Sequence, residues 1–384
     1  MMTHGADPLP AFMQDGPEEI TPVVAPTGDT LWLVRGYTLG RTVLTDKRFS
    51  RAAAVRPHVP KLTEAEPSPD SIMSMDGAEH ARLRRIVAGV FTARRIAGMA
   101  PHIRRLADEH LDRMDSAGPP ADIVNDLASP LSLTVLCQLL GIPPEDNKKF
   151  KDWVEVLFDI SSSTPQQKAG RRLELFEYMA DLVDRKRSRQ DDDLLTSLIA
   201  VHDQGELSTR ELLSLGLALL TAGYETTIGQ IGLMLLSVLS DPDTRASLGT
   251  DADLVPSVVE ELLRLTPSTP VSFPRVALEP VGLGGVTVSA GEAVIVSLLH
   301  ANRDETIFSC PSRLLPGERD STHLTFGHGI HRCLGAPLAR LQLQIVLTQL
   351  LERFPGVQLA AGPDAVAWKD GLATRGLSRL LVTW

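Results

Sequence analysis

Residues 212–239 form the longest apolar stretch of the chain, and they carry Glu225, Thr226, Thr227 and Gln230 at their centre. Such a run can span a bilayer or cross the interior of a large protein. The central carboxylate favours the interior, because it costs about 3 kcal/mol at mid-membrane on insertion scales. Ser208-x-x-Glu211 ahead of the run has the form of a capping box, and Asp241-Pro242 closes it. The spacing predicts one helix of about 32 residues, roughly 48 Å long at 1.5 Å per residue. A helix of that length, apolar on most sides, crosses an entire domain.

Most of the remaining chain also has helical periodicity. Val255, Val258, Val259 and Leu262 share one face of a helix that Pro267 ends. Residues 271–296, rich in Val, Gly and Pro, predict short strands and tight turns. A last long helix starts near Gly335, with Leu343, Leu347, Leu350, Leu351 and Phe354 as its buried stripe. Residues 56–70 and 161–167 have the composition of mobile loops, and 185–193 that of a solvated connection. The fold class expected is mainly α with a small β region, in a single domain over residues 1–384 whose first 20 residues are flexible.

A net charge of −10 argues against a nucleic-acid binder. Cys137, Cys310 and Cys333 are odd in number and far apart, so neither a disulfide framework nor a Cys-x-x-Cys metal site is expected, and the cytoplasm is the expected compartment. The first 14 residues lack the basic-then-apolar order of a signal peptide.

One loop carries chemistry. Phe326-x-x-Gly329-x-x-x-Cys333-x-Gly335 runs into a helix that begins near Pro337. A thiolate that ligates iron must be deprotonated and shielded. Glycines let the backbone aim N–H groups at sulfur, and the helix N-terminus favours the anion. On its own Cys333 would read as a buried structural thiol, the commoner fate of a free cysteine. The spacing of its flanks, followed by Leu338-Ala339-Arg340, is long and specific. In this the sequence resembles the cytochrome P-450 family of soluble bacterial haem-thiolate monooxygenases.

The resemblance runs from about residue 46 to the end, including Asp192-Asp193-Leu194-Leu195, His300-Ala301-Asn302-Arg303-Asp304 and His323-Leu324. It implies the family's fold, with the long helix crossing over haem b (iron protoporphyrin IX), and Cys333 as the axial iron ligand beside Phe326 and Gly335. Ala222-Gly223-Tyr224-Glu225-Thr226-Thr227 resembles the family's acid–alcohol pair, with Glu225 and Thr226 delivering protons and Gly223 leaving room for dioxygen. Read singly, Thr226 would bond back to a carbonyl one turn earlier and Glu225 would sit in an ion pair. Glu260 and Glu261 both fall within reach of Arg264 on a helix. The family pattern selects Glu261 with Arg264 as a structural pair, completed by a downstream base, Arg313 or Arg319. His80, Arg84, Arg275 and His331 match the family's cationic contacts to the haem propionates. Gln342 departs from the family's usual glutamate.

The implied activity is insertion of one oxygen atom from dioxygen into an apolar small molecule, by hydroxylation or epoxidation in natural-product biosynthesis. The pocket walls expected are Leu219, Ala222, Val271, Ser272, Phe273 and Ala373, with residues 56–75. No flavin or nicotinamide motif is present, so electrons are expected from a separate ferredoxin and its reductase, docking on Arg82, Arg85 and Arg332. The expected protein is a monomer off the membrane. A peroxide-driven oxygenase and a non-catalytic haem sensor or carrier are the alternatives, and neither calls for an acid–alcohol pair.

Overall fold

The computed structural model describes residues 13, 16, 18–63, 68–158, 164–188, 191–317, 322–362, 366–369 and 374–384. The long apolar run is one helix, Thr209–Ser240. Ser208 Oγ accepts from the Glu211 N–H while the Glu211 side chain reaches back, and Asp241 ends it. It meets the length and composition of a membrane span, yet most of its side chains pack inside the protein. The helix Ser129–Leu140 packs along it, and a Cβ on Gly223 would lie 2.8 Å from Leu136. Gly223 therefore serves helix packing here.

The fold class matches the sequence expectation. The helix Val255–Leu265 stops two residues before Pro267, and Ala336–Arg353 starts after Gly335. The strands lie at the edges of the helical mass. A five-stranded sheet joins Ile20–Val24, Thr30–Val34, Ala293–Val296, Arg275–Ala277 and Phe49–Ser50 in that order. Its pairing of Thr30–Val34 with Ala293–Val296 is parallel and buried, which fits the unbroken apolar run Ala-Val-Ile-Val. Near the C-terminus Ala367–Trp368 pairs antiparallel with Leu377–Arg379 to form a short hairpin.

Two local expectations change. Residues 185–193 are not simply solvated: Arg185, Lys186 and Arg187 form the last turn of Pro165–Arg187, and Lys186 Nζ donates to Asp193 Oδ2 at 2.5 Å with both side chains buried. The sequence shows a switch from basic to acidic there but not that the start of the next helix brings Asp193 back to Lys186. Near the N-terminus, Met13 is fully buried and Ile20 opens a strand. Ala373, Arg319 and residues 161–163 lie outside the described residues.

Candidate functional site

Cys333 follows the 3-10 turn Gly329–His331 and precedes the helix Ala336–Arg353. Its own N–H donates to Phe326 O at 2.8 Å, which closes the loop on itself. Gly327 and Gly329 have φ of +69° and +71°, conformations that a side chain would strain. A Cβ on Gly329 would lie 2.8 Å from Leu44 O, so this glycine also lets the loop lie on the helix Tyr37–Thr45. Gly335 has ordinary φ, and its contribution is an N–H aimed at the sulfur.

Cys333 is an exposed residue, yet protein atoms crowd around its thiol. Burial pushes the thiol pKa up. The Gly335 N–H, the Arg84 charge, the Ala336 N–H and the Arg332 charge oppose that rise. The loop thus collects the groups that stabilise a thiolate, without neutralising it in a contact pair.

Beside the loop lies a group of basic side chains. The His80 and His331 rings are 4.2 Å apart, and His80 is 2 % exposed. Arg275 and Arg51 are both buried. Arg51 Nε donates to Met73 O at 3.0 Å, its Nη1 donates to Pro274 O, and its guanidinium covers the Phe273 ring. Among the charges acting on this group, Asp76 supplies the negative one. Asp76 occupies the N-cap of Gly77–Val90 but does not cap it. Its carboxylate accepts from Ser50 Oγ and the N–H groups of Arg51 and Ala52. It lies 3.7 Å from His331 Nε2, too far for a hydrogen bond. Burial and its cationic neighbours hold His80 down to about 4, and burial lowers Arg275 and Arg51 to about 10.

Three buried nitrogens here, His80 Nε2, Arg275 Nε and His331 Nε2, have no hydrogen-bond partner. Unpaired buried donors are costly, so this group is built for acceptors from a ligand. Among the described residues no cluster of three His, Cys, Asp or Glu could hold a bare metal ion. A metal on Cys333 must then bring further ligands of its own. An iron porphyrin fits both requirements, because it supplies four nitrogens to the iron and two carboxylates to the basic side chains. Cys333, the N–H groups of Gly335 and Ala336, His80, Arg275 and His331 are the residues that would hold it. Arg84 lies between this set and the sulfur: its Nη2 donates to Arg332 O, and its charge acts on both His80 and Cys333.

Over the long helix, Ala222 is exposed and Thr226 half-buried in an otherwise buried stretch, so this face borders an opening. Thr226 Oγ1 donates to Ala222 O at 2.9 Å. Glu225 is buried on another side, where Lys369 Nζ donates to its Oε2 at 2.8 Å. The simple readings of both residues, a back-bonded hydroxyl and a paired carboxylate, are thus what the structure contains. Of the expected pocket residues, Val271 is buried, Leu219 and Ser272 are half-buried, and Phe273 is exposed beside Arg51.

Arg264, 1 % exposed, donates through Nε and Nη2 to the two oxygens of Glu261 at 2.8 and 2.9 Å. Its remaining donors reach the carbonyls of Asn302, Pro311 and Arg313. Arg313 therefore meets the pair through its backbone carbonyl. Glu260 turns the other way, to Arg340 and His323, and Arg340 lies over the Phe326 ring at 4.7 Å. Arg82 is tied to Glu211 and to Glu206 O. Arg85 and Arg332 remain exposed. Arg51, Arg340 and Lys369 were not legible as site residues, since each acts on a partner far away in sequence.

The comparisons with known proteins agree with this geometry. The family model described as Cytochrome P450 matches residues 24–253 and 250–360. The chain is 42 % identical to nocardicin C N-oxygenase of Nocardia uniformis subsp. tsuyamanensis, over 94 % of this chain and 91 % of that protein. It is 40 % identical to mycinamicin IV hydroxylase/epoxidase of Micromonospora griseorubida, over 96 % and 93 %. The crystal structure of the LnmA cytochrome P450 hydroxylase from the leinamycin biosynthetic pathway of Streptomyces atroolivaceus superposes with a TM-score of 0.88 at 40 % identity, over 96 % and 94 %.

Proposed function

The chain belongs to the cytochrome P450 family and is a haem-dependent oxidoreductase, and from that premise we propose that it oxidises an apolar small molecule in natural-product biosynthesis, inserting one oxygen atom from dioxygen. The observation that carries this reading is the exposed Cys333 beside His80, Arg275 and His331, each with a buried nitrogen that lacks a hydrogen-bond partner. The bound group is haem b, which supplies the iron on which dioxygen is activated. The residues around it do the rest. Gly335 and Ala336 hold the thiolate through their N–H groups, and Arg84 adds a nearby positive charge. His80, Arg275 and His331 orient the cofactor through its carboxylates.

Thr226 is the alcohol of the proton path and Glu225 its acid. The Thr226 hydroxyl stands at the opening and holds water or dioxygen-derived oxygen by hydrogen bonds. Its present bond to Ala222 O keeps the hydroxyl in one rotamer and leaves its oxygen free to accept. Glu225 takes protons from the solvent side, where the partly exposed Lys369 lies 2.8 Å from its Oε2. Ala222, Leu219, Val271 and Phe273 form the apolar wall for the substrate. Relatives named as a macrolide hydroxylase/epoxidase and a nocardicin N-oxygenase support a tailoring role. Electrons come from a ferredoxin and its reductase, with Arg85 and Arg332 as the docking cations.

A spectral titration of the ferric protein with macrolide, terpenoid and carrier-bound amino-acid candidates tests the substrate class. Displacement of water from iron by one class supports it, and no response to any apolar candidate rejects the apolar pocket. With a responding compound in hand, Thr226→Ala is expected to divert electrons from product. Unchanged coupling would remove Thr226 from the proton path.

A further inference from the structure

Thr226 is held from outside its own helix. Ser268, in the connection after Val255–Leu265, donates its hydroxyl to Thr226 O at 2.9 Å. Ser268 is 5 % exposed, and all its polar groups are engaged. Its N–H donates to Gln230 Oε1 at 3.0 Å, and Gln230 Nε2 donates to Thr266 O at 3.1 Å. Its carbonyl accepts from Arg375 N at 2.7 Å. One residue thus joins the long helix, the connection before the sheet and the C-terminal hairpin.

The neighbouring backbone is shaped for this junction. A Cβ on Gly229 would stand 2.6 Å from Arg375 O, and one on Gly376 would stand 3.1 Å from Gly229 Cα. Two glycines therefore let the hairpin lie directly on the long helix, one turn beyond Thr226. From the same hairpin Lys369 reaches Glu225.

Two hydroxyls act on carbonyls one turn apart along the helix. Thr226 Oγ1 bonds Ala222 O, and Ser268 Oγ bonds Thr226 O. A hydroxyl that bonds a helix carbonyl from the side tilts it outward and locally loosens or bends the ladder. The tilt of the Thr226 peptide sets the direction in which its side chain points. We propose that Ser268 is a positioning residue for Thr226: its hydroxyl fixes the peptide plane at the turn and so aims the Thr226 hydroxyl into the opening. This deepens the reading of Thr226 as the alcohol of the proton path and rests on it.

The test uses haem-loaded protein, with Ser268→Ala to remove the hydroxyl and Ser268→Thr to restore it. Two readouts need no substrate. Hydrogen exchange of the amides at 227–230 reports the hold on the turn, and the infrared C–O stretch of the reduced protein with carbon monoxide reports what faces the iron. Ser268→Ala is expected to speed exchange about fivefold, the factor that one hydrogen bond carries. It should also move the C–O stretch in the direction that Thr226→Ala moves it, and Ser268→Thr should restore both. Wild-type exchange in Ser268→Ala overturns the proposal. So does a wild-type C–O stretch in Ser268→Ala where Thr226→Ala shifts the band. A band that Thr226→Ala does not move removes Thr226 from the iron's vicinity, which is failure of the underlying reading, while the exchange data still decide whether Ser268 holds the turn.

Discussion

Lys369 Nζ lies 2.8 Å from Glu225 Oε2, so the carboxylate at the centre of the long helix is neutralised by a lysine 144 positions away. Glu225 is 4 % exposed and the Lys369 side chain 22 %. The pair is buried at the Glu225 end and reaches solvent at the Lys369 end.

Removing one partner leaves a buried charge alone, which typically costs about 3–5 kcal/mol. Lys369→Met leaves Glu225 as that buried charge, so it is expected to lose stability in this range. The double variant Glu225→Gln/Lys369→Met should regain part of that loss. Urea unfolding of the two variants checks this, and equal loss in both would show that the pair carries no coupling.

Arg264→Lys tests the planar fork. Lysine cannot serve two carboxylate oxygens and three carbonyls in one plane, so the change is expected to cost about 3–5 kcal/mol and to lower the yield of folded protein. Urea unfolding or, if expression fails, the soluble fraction measures it. Stability within about 0.5 kcal/mol of wild type, the ordinary scatter of surface changes, would show that geometry is unimportant there.

Glu260 gives a pH dependence. Its burial opposes ionisation, but the hydrogen bonds and charges of Arg340 and His323 outweigh that and pull it down to about 2. A carboxylate depressed from about 4.3 in the unfolded chain stabilises the fold above that pH. The contribution is lost as pH falls from about 4.3 towards 2. Glu260→Gln should flatten the acid-unfolding profile in that window only. Its side chain is 40 % exposed, so solvent screening keeps the effect modest.

Gly229→Ala should displace the C-terminal hairpin. The added Cβ would stand 2.6 Å from Arg375 O, a backbone atom that cannot rotate away. Overpacking of this kind costs about 1–3 kcal/mol. Faster hydrogen exchange in the hairpin 367–379, with the rest of the sheet unchanged, is the expected result.

These sites differ in how far the sequence reveals them. The capping box at Ser208 and Glu211 and the Cys333 loop are local, so spacing alone locates them. Glu261 and Arg264 also sit within one turn, but helix geometry admits Glu260 equally. The choice depends on Arg340, brought from the last helix to take Glu260. Lys369 with Glu225 and Arg51 with Pro274 are long-range meetings with no local pattern. The switch from basic to acidic in residues 185–193 suggested solvent, and only the return of the chain to Lys186 buried that side chain. The fold was legible because helical periods and caps are local. The wiring around the site was not, because tertiary packing assigns its partners.

The central claim is that Cys333 sulfur holds the haem iron. Cys333→Ser, expressed and loaded with haem beside the wild type, tests it most directly through the absorption spectrum of the reduced carbon monoxide complex. The wild type is expected to show the red-shifted Soret band of a thiolate ligand, and Cys333→Ser to lose it. A thiolate-type band that survives in Cys333→Ser would contradict the account.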